Sequence, residues 1–336
     1  MYVVKNLVCL LVIVLILGSC NTSNKPTFNF VSDNAVAHLN QYIYSDSVAY
    51  LINKSKLKVT VVWNPKPING NYALVAKVQD SNQYVVVIRG SLIEFSNDGF
   101  QNWVMQDFNF FTMQPWKYTD TIKDAYISQG SYNGLQNVLA LRDTLTNQTL
   151  EQFIVNNSKQ NTFVISGHSL GGNLAQVFGA YIQKQLPQEQ KSHINMVTFG
   201  ASAAGNKAFV ADLEQKFTQG KRYVITNDVA PYFPSINGVA SIAKMLPLAN
   251  ILPNLKQYNL QNNINNTLNG IVDIAKTFNL INDKNNYAQS NLHLKKLELK
   301  MPKALENNAI TDAFNSAYYY HKIDSYVTCM DSATLQ

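Results

Sequence analysis

The segment Gly167-His168-Ser169-Leu170-Gly171 holds one serine between two glycines, in the pattern G-x-S-x-G. A predicted strand at 163–166, with β-branched Val164 and Ile165, precedes it, and a helical pattern at 170–186 follows it. A serine at such a strand-to-helix turn is presented as a nucleophile, and the flanking glycines leave room that a Cβ would fill. We therefore predict that Ser169 is a nucleophile. The alternative is a glycine turn with an incidental serine.

The predicted base is a histidine. A serine hydroxyl is a weak nucleophile at neutral pH and needs a neighbouring base, usually histidine, that a carboxylate holds in place. Three histidines follow the serine. His193 directly precedes a predicted strand, at the edge away from the reactive end, and His293 lies in an alternating run where we expect a solvent-facing side chain. His321 comes late in the chain after three tyrosines, so we predict His321 as the base and keep His293 as the alternative.

The predicted acid is Asp228, which directly follows a predicted strand at 222–226. Open α/β sheets carry their chemistry at the carboxyl ends of the strands. α/β-Hydrolases place the acid between the serine and the histidine along the chain. Asp212 lies inside a helical pattern, and Asp273 and Asp283 lie in a later Asn-rich segment, so we expect these three to be solvated surface acids. The alternative for Asp228 is a plain turn residue.

The elements around these residues predict an α/β fold. Strands are predicted at 72–78, 84–88, 163–166, 194–199 and 222–226, with a hairpin break at 80–82 between the first two. Helices are predicted at 33–52, 134–155, 170–186 and 206–217. This alternation indicates a mostly parallel central sheet with helices on both faces. Together with the serine turn and the order serine, acid, histidine along the chain, this sheet resembles the α/β-hydrolase fold, which we expect here.

The first twenty residues predict a targeting segment. Lys5 is followed by eleven apolar residues, 7–17, which are too few for a membrane-spanning helix of ~20 residues. A charged start and small residues at the end are typical of a secretory signal. The run Leu17-Gly18-Ser19-Cys20 resembles a bacterial lipobox, in which the cysteine becomes the first mature residue and carries acyl groups. We expect a signal peptide at 1–19, an acylated Cys20 and a lipid-anchored protein of the bacterial cell envelope; the alternative is a secreted protein.

The rest of the chain is predicted to form one domain. Residues 20–32 are expected to be a tether, and 33–336 the hydrolase domain. A Pro- and Asn-rich segment at about 232–285, with amphipathic stretches at 239–255 and 268–281, is predicted to be a helical insertion between the acid and the histidine. It is expected either to pack on the body or to form an apolar cover or a membrane-docking face.

The composition argues against several other classes of protein. Of 336 residues, 46% are hydrophobic and 14% are charged, which is typical of a globular chain. The formal charge of +6 is not concentrated in a Lys/Arg block, so nucleic-acid binding is not expected. The five histidines are dispersed, and C-x-x-C and H-E-x-x-H motifs are absent, so we expect no metal and no cofactor. Cys329 is expected to be a small core residue.

Several blocks together resemble the class 3 (fungal-type) lipase family, including its bacterial lipoprotein members, from about residue 70 to 328. The strand that ends in Arg89-Gly90-Ser91 is similar to the family's R-G-S/T segment, and Gly167 to Gly172 reads G-H-S-L-G-G, as in the family. The residues 199–206 resemble its F-G-x-P-x-x-G-N, and the residues 227–231 resemble its N-D-x-x-P. His321 and Tyr326 fit its late histidine and the tyrosine that follows.

This resemblance implies a serine ester hydrolase that acts on lipids, with acylglycerols as the expected substrates. It implies an oxyanion hole formed by the backbone N–H of Leu170 and by the backbone and hydroxyl of Ser91. It also implies a lid at 92–101. A phospholipase or an acyltransferase of the same fold remains an alternative. So does a non-catalytic lipoprotein that uses the fold as a lipid-binding surface.

The chain departs from the family's pattern at four places. Ser202 and Ala203 stand where the family usually has Pro and Arg, and 127–130 replaces its V-H-x-G segment. Trp103 and Asp107 resemble a W-x-x-D pair with one extra residue, and the segment between Asp228 and His321 is longer than usual. These departures do not affect the predicted chemistry, but they weaken any inference about the substrate.

Overall fold

The computed structural model describes residues 30–90, 112–235, 286–301 and 317–334. Within these residues a seven-stranded sheet has the order β1-β2-β3-β6-β7-β9-β11, and a four-stranded sheet has the order β10-β8-β5-β4. The strands are β1 Val59–Trp63, β2 Tyr72–Val78, β3 Gln83–Arg89, β4 Met113–Pro115, β5 Tyr126–Ser128, β6 Thr162–His168, β7 Ile194–Phe199, β8 Gly205–Asn206, β9 Lys221–Ile225, β10 Tyr287–Ala288 and β11 Leu294–Leu297.

The central sheet is parallel from β3 through β6, β7 and β9 to β11. β2 runs antiparallel to both of its neighbours, β1 and β3. β6 and β7 in the middle of the sheet are buried along nearly their whole length, as expected for parallel strands that are covered on both faces. The predicted mostly parallel α/β sheet is therefore confirmed.

Helices cover both faces of this sheet. They are α1 Asp33–Tyr42, α2 Val48–Lys54, α3 Gln129–Ala140, α4 Leu150–Asn157, α5 Leu170–Gln185, α6 Lys207–Lys216 and α7 Ile323–Thr334. One core contains residues of α1, α2 and α7 with Val85, Val87 and Val164 of the sheet. The other contains residues of α3 to α6 with the alternate positions Val86 and Ile165. Side chains of one strand thus pack into two cores, because successive residues of a strand point to opposite faces.

The single helix predicted at 134–155 is wrong, since two helices occupy this region. α3 ends at Ala140 and α4 begins at Leu150, with an irregular turn between them. The Asp143 carboxylate holds this turn, because it accepts hydrogen bonds from the backbone N–H groups of Asn64, Leu145 and Thr146. The apolar periodicity of the sequence continues across the turn, so the pattern did not predict the break between the two helices.

Thr149 starts the second of these helices. Its hydroxyl accepts from the N–H of Gln152, and the Gln152 side chain accepts from the N–H of Thr149, which completes a capping box. Such reciprocal bonds satisfy two of the N–H groups that a helix start leaves without partners.

The helix predicted at 33–52 is also divided, into α1 and α2, with a turn between Tyr42 and Val48. α1 starts beside the amino end of β9, where Asp33 accepts from Lys221 Nζ and from the Tyr223 hydroxyl, each at 2.6 Å. The turn after α1 brings Tyr44 to His168, which is the last residue of β6. α1 therefore runs from one end of the sheet to the other.

Several predicted features lie outside the described residues. These are the signal and Cys20, the lid at 92–101, the pair Trp103 and Asp107, and nearly all of the insertion at 232–285. The division of the chain into signal, tether and domain stays a prediction. Across the ranges that the structure describes, every helix is too short or too polar to cross a membrane.

Candidate active site

Ser169 lies in a sharp turn between β6 and α5. Its backbone has φ 58° and ψ −126°, which L-residues rarely adopt. The Ser169 N–H donates to the carbonyl of Phe199 at 3.0 Å, and its own carbonyl accepts from Asn173, which fixes the turn to β7 and to α5. A strained residue held in this way presents its side chain at the carboxyl end of the central strand.

Two glycines make the turn possible. A Cβ on Gly167 would lie 2.1 Å from the Gly171 carbonyl oxygen, and a Cβ on Gly171 would lie 2.2 Å from the Ile88 carbonyl oxygen. Both contacts are with backbone atoms, which cannot shift as easily as the end of a flexible side chain. The G-x-S-x-G spacing thus has the steric cause that the sequence indicated.

The structure brings Ser169, His321 and Asp228 together. The Ser169 hydroxyl lies 2.7 Å from Nε2 of His321, and Nδ1 of His321 lies 2.9 Å from both carboxylate oxygens of Asp228. A carboxylate only accepts, so Nδ1 carries the proton and Nε2 accepts from the serine hydroxyl. His321 is 2% exposed and Asp228 is fully buried. The three residues have the geometry that general-base activation of a serine requires.

The Asp228 carboxylate has two further donors besides His321. The N–H of Ala230 donates to Oδ1 at 2.9 Å, and the hydroxyl of Tyr326 donates to Oδ2 at 2.5 Å. Burial and the neighbouring Asp228 carboxylate hold the pKa of Tyr326 well above its usual range, so this phenol remains a donor. Gly200 packs against both groups with φ +55°, and a Cβ there would lie 2.8 Å from Asp228 Oδ2.

The side chain of His168 contacts both the backbone and the ring of His321. Its Nε2 lies 2.7 Å from the carbonyl oxygen of His321, and the two imidazole rings are 4.8 Å apart. The hydroxyl of Tyr44 lies 3.4 Å from Nδ1 of His168. Burial, followed by the proximity of His321, lowers the pKa of His168 well below its usual range. His168 is therefore neutral and donates from Nε2.

The oxyanion site is described for one of its two predicted residues. Leu170 is the first residue of α5, and its backbone N–H belongs to a helix start, where N–H groups have no acceptor within the helix. The end of β3 lies against it, since a Cβ on Gly90 would lie 2.8 Å from the Gly171 nitrogen. Ser91 directly follows Gly90 and lies outside the described residues. Its predicted role stays a prediction.

The rejected histidines lie away from the triad. His193 precedes β7 and bonds the carbonyl of Ser158, and His293 is exposed and bonds the carbonyl of Thr218. Cys329 is buried in the core beside α1, as predicted. The prediction that Asp212 is a solvated surface acid is wrong. Asp212 is buried and pairs with Lys216 at 2.7 Å, four residues later on the inner side of α6.

Sequence reasoning did not find the roles of His168 and Tyr44. His168 was visible only as part of the serine motif, and nothing in the sequence joins Tyr44 to it across more than a hundred residues. A separate polar cavity of about 580 Å³ lies at the opposite, amino end of the sheet, where Asp120, Lys191 and Gln183 line it. None of the triad residues lines this cavity.

The match to M37 lipase agrees with this fold. The family model of class 3 lipases matches residues 85–238. M37 lipase is similar in structure, with a TM-score of 0.67, 19% identity, and coverage of 89% of this chain and 92% of that chain. Lipase II from Rhizopus niveus (TM-score 0.47, 17% identity, 61% and 76% coverage) and the Rhizomucor miehei lipase in its propeptide complex (0.43, 16%, 63% and 68%) are more distant. No curated protein matches the chain.

The fold and the family match define this chain as a carboxylic ester hydrolase with the α/β-hydrolase fold. The sheet order, the serine turn and the family match to 85–238 agree with one another. The resemblance to the class 3 lipases that the sequence indicated is confirmed over residues 85–238, which the family model matches.

Proposed function

We propose that this hydrolase cleaves acylglycerol esters through a Ser169-His321-Asp228 triad and an acyl-enzyme. The observation that carries the proposal is the continuous chain of short contacts from the serine hydroxyl through the imidazole to the buried carboxylate. Ordinary surface serines have no such base, and their hydroxyls stay protonated and unreactive.

The first half of the reaction forms an ester between Ser169 and the acyl group. His321 Nε2 takes the serine proton while Oγ attacks the substrate carbonyl, and Asp228 stabilises the resulting imidazolium. The carbonyl oxygen becomes negative, and the N–H of Leu170 together with Ser91 stabilises it. Each such donor contributes ~3 kcal/mol to the barrier reduction. The imidazolium then gives its proton to the departing alcohol.

In the second half, water hydrolyses the acyl-enzyme. His321 takes a proton from water, the hydroxide attacks the acyl carbonyl, and the proton returns to Ser169 as the acid leaves. The same histidine thus serves as base and as acid in both halves. Its fixed position between Asp228 and Ser169 suits both steps, because Nε2 faces the reacting oxygen throughout.

The lipid substrate and the location are parts of the same proposal. The lipase activity named for the matched family and for M37 lipase supports an acylglycerol over a small soluble ester. We propose further that Cys20 is acylated after removal of 1–19, and that the acyl chains hold the enzyme at a membrane of the bacterial cell envelope. The supports are the lipobox-like run and the charged, apolar leader.

Replacement of Ser169 tests the mechanism. The Ser169→Ala variant should lose hydrolysis of p-nitrophenyl esters and labelling by a fluorophosphonate probe, while it keeps the wild-type circular dichroism spectrum. The variant Ser158→Ala, at a buried serine far from the triad, serves as the matched control and should keep both activities. Labelling of wild type that persists in Ser169→Ala would refute the triad, and a wild type that is never labelled would favour a lipid-binding protein.

A substrate panel tests the lipid class. Butyrate and palmitate glycerol esters and phosphatidylcholine should be assayed side by side with the purified chain. Preferred cleavage of the glycerol esters supports the lipase. Preferred cleavage of phosphatidylcholine indicates a phospholipase, and transfer of the acyl group to an added alcohol in place of water indicates an acyltransferase.

A further inference from the structure

The base of the proposed triad is held at its backbone as well as at its ring. Nδ1 of His321 donates to Asp228 and Nε2 accepts from Ser169, while the His321 carbonyl oxygen accepts a hydrogen bond from Nε2 of His168 at 2.7 Å. His168 is the residue directly before the nucleophile, so one side chain joins the serine turn to the segment that carries the base. Both imidazoles are almost fully buried.

We propose that His168 is a positioning residue that sets the distance between Ser169 and His321. The proposal rests on the proposed serine mechanism. The ring of His168 lies 4.8 Å from the ring of His321 at an angle of 33°, so it both fills the space behind the base and donates to its backbone. Loss of the His168 ring or of its hydrogen bond to the His321 backbone would move Nε2 of His321 relative to the serine hydroxyl.

The tautomer of His168 follows from its neighbours. A carbonyl only accepts, so Nε2 carries the proton and Nδ1 is the acceptor. The hydroxyl of Tyr44 lies 3.4 Å from both Nδ1 and the carbonyl oxygen of His168, and the ring of Tyr44 meets that of His168 edge to face. The turn after α1, the end of β6 and the segment with His321 are therefore linked through Tyr44 and His168.

The charge state of His168 matters for the same reason. During the reaction His321 becomes an imidazolium, and a second cation 4.8 Å away would oppose its formation. Burial keeps His168 neutral, so it supplies a hydrogen bond to the base without an opposing charge. A lysine or arginine at this position would introduce that charge.

Three variants of His168 separate positioning from folding. Glutamine carries an N–H donor near the place of Nε2, whereas phenylalanine fills the ring's space without a donor and asparagine is polar but too short. We expect His168→Phe and His168→Asn to lower kcat on p-nitrophenyl butyrate by ~10²-fold. A displacement of a catalytic group by about 1 Å lowers the rate by that factor. KM should change by no more than about twofold, because ground-state binding is not involved.

The rescue by glutamine distinguishes the two roles. His168→Gln should keep kcat within about fivefold of wild type, and the rate of fluorophosphonate labelling of Ser169 should follow kcat in all three variants. His193→Phe is the matched control, since it removes an imidazole that bonds a backbone carbonyl at 2.6 Å at the other end of the sheet. It should lower the melting temperature without a change in kcat.

Equal losses in the glutamine, asparagine and phenylalanine variants, or an unchanged kcat in the phenylalanine variant, would overturn the positioning role. Failure of the triad itself would be seen separately. In that case wild type and Ser169→Ala would be labelled alike, whatever residue stands at 168.

Discussion

The hydroxyl of Tyr326 donates to Oδ2 of Asp228 at 2.5 Å, five residues after the histidine that the same carboxylate orients. The bond lies in the core, where Tyr326 is fully buried between His168 and Phe199. α7 therefore does more than cover the sheet. It supplies a donor that keeps the acid of the proposed triad in one orientation.

Removal of this hydroxyl should weaken both stability and catalysis. Tyr326→Phe deletes a hydrogen bond to a buried carboxylate, so the free energy of unfolding should fall by ~1.5–3 kcal/mol. If about 1.4 kcal/mol of that is felt in the transition state, kcat falls about tenfold. Urea unfolding and ester kinetics measure the two effects. Tyr223→Phe, which removes a bond of 2.6 Å to Asp33 at the other end of the sheet, should destabilise without a loss in kcat.

A methyl group at position 200 should disturb the acid through contact. Gly200 has φ +55°, and a Cβ would lie 2.8 Å from Asp228 Oδ2 and 2.9 Å from the Tyr326 hydroxyl. Gly200→Ala should lose ~1–3 kcal/mol from the backbone alone and also lose activity. Gly70→Ala has the same backbone cost, with φ +76° and nothing within 4 Å of the new Cβ, and should stay active. Equal activities in the two variants would contradict a contact with the acid.

The capping box at Thr149 should contribute about as much to the free energy of unfolding as one helix cap does. Thr149→Ala removes the hydroxyl that accepts from the N–H of Gln152, and the free energy of unfolding should fall by ~1 kcal/mol. Ser47→Ala is the matched change, because Ser47 precedes α2 without a side-chain capping bond. Chemical denaturation of both variants checks the prediction, and similar losses in the two would mean that the box does not stabilise α4.

His168 should make the folded state sensitive to acid. Its pKa is lowered in the folded protein, chiefly by burial, whereas an unfolded histidine titrates near ~6.5. Below that pH the unfolded state binds more protons, so stability falls as the pH falls, by up to ~1.4 kcal/mol per pH unit. His168→Gln removes this contribution. Its unfolding free energy between pH 7 and pH 4 should decline less steeply than that of wild type, and parallel curves would count against a neutral buried His168.

The sheet and the three residues of the proposed triad could be predicted because each has a signal in the sequence, either a short motif or its order along the chain. Ser169 had glycines at fixed spacing, and Asp228 followed a strand whose end had to lie at the reactive edge. His321 was chosen by position and by the exclusion of two other histidines. In each case the chemistry depends on a short motif or on chain order, and both can be read without coordinates.

Other features depend on contacts between distant segments. The turn after α3 exists because the Asp143 carboxylate meets the backbone of Asn64, some eighty residues earlier. Asp212 is buried because Lys216 reaches it and two backbone carbonyls, which removes the cost of burying either charge alone. Helical periodicity is the same with or without these partners, so the pattern alone misplaced both.

The direction of α1 has a practical consequence. Its first residue, Asp33, is bound at the amino end of β9, while its far end reaches His168 beside the serine turn. The described part of the chain therefore enters α1 at the end of the sheet that is remote from Ser169. Immobilisation at that end of the sheet should leave the reactive hydroxyl directed away from the support.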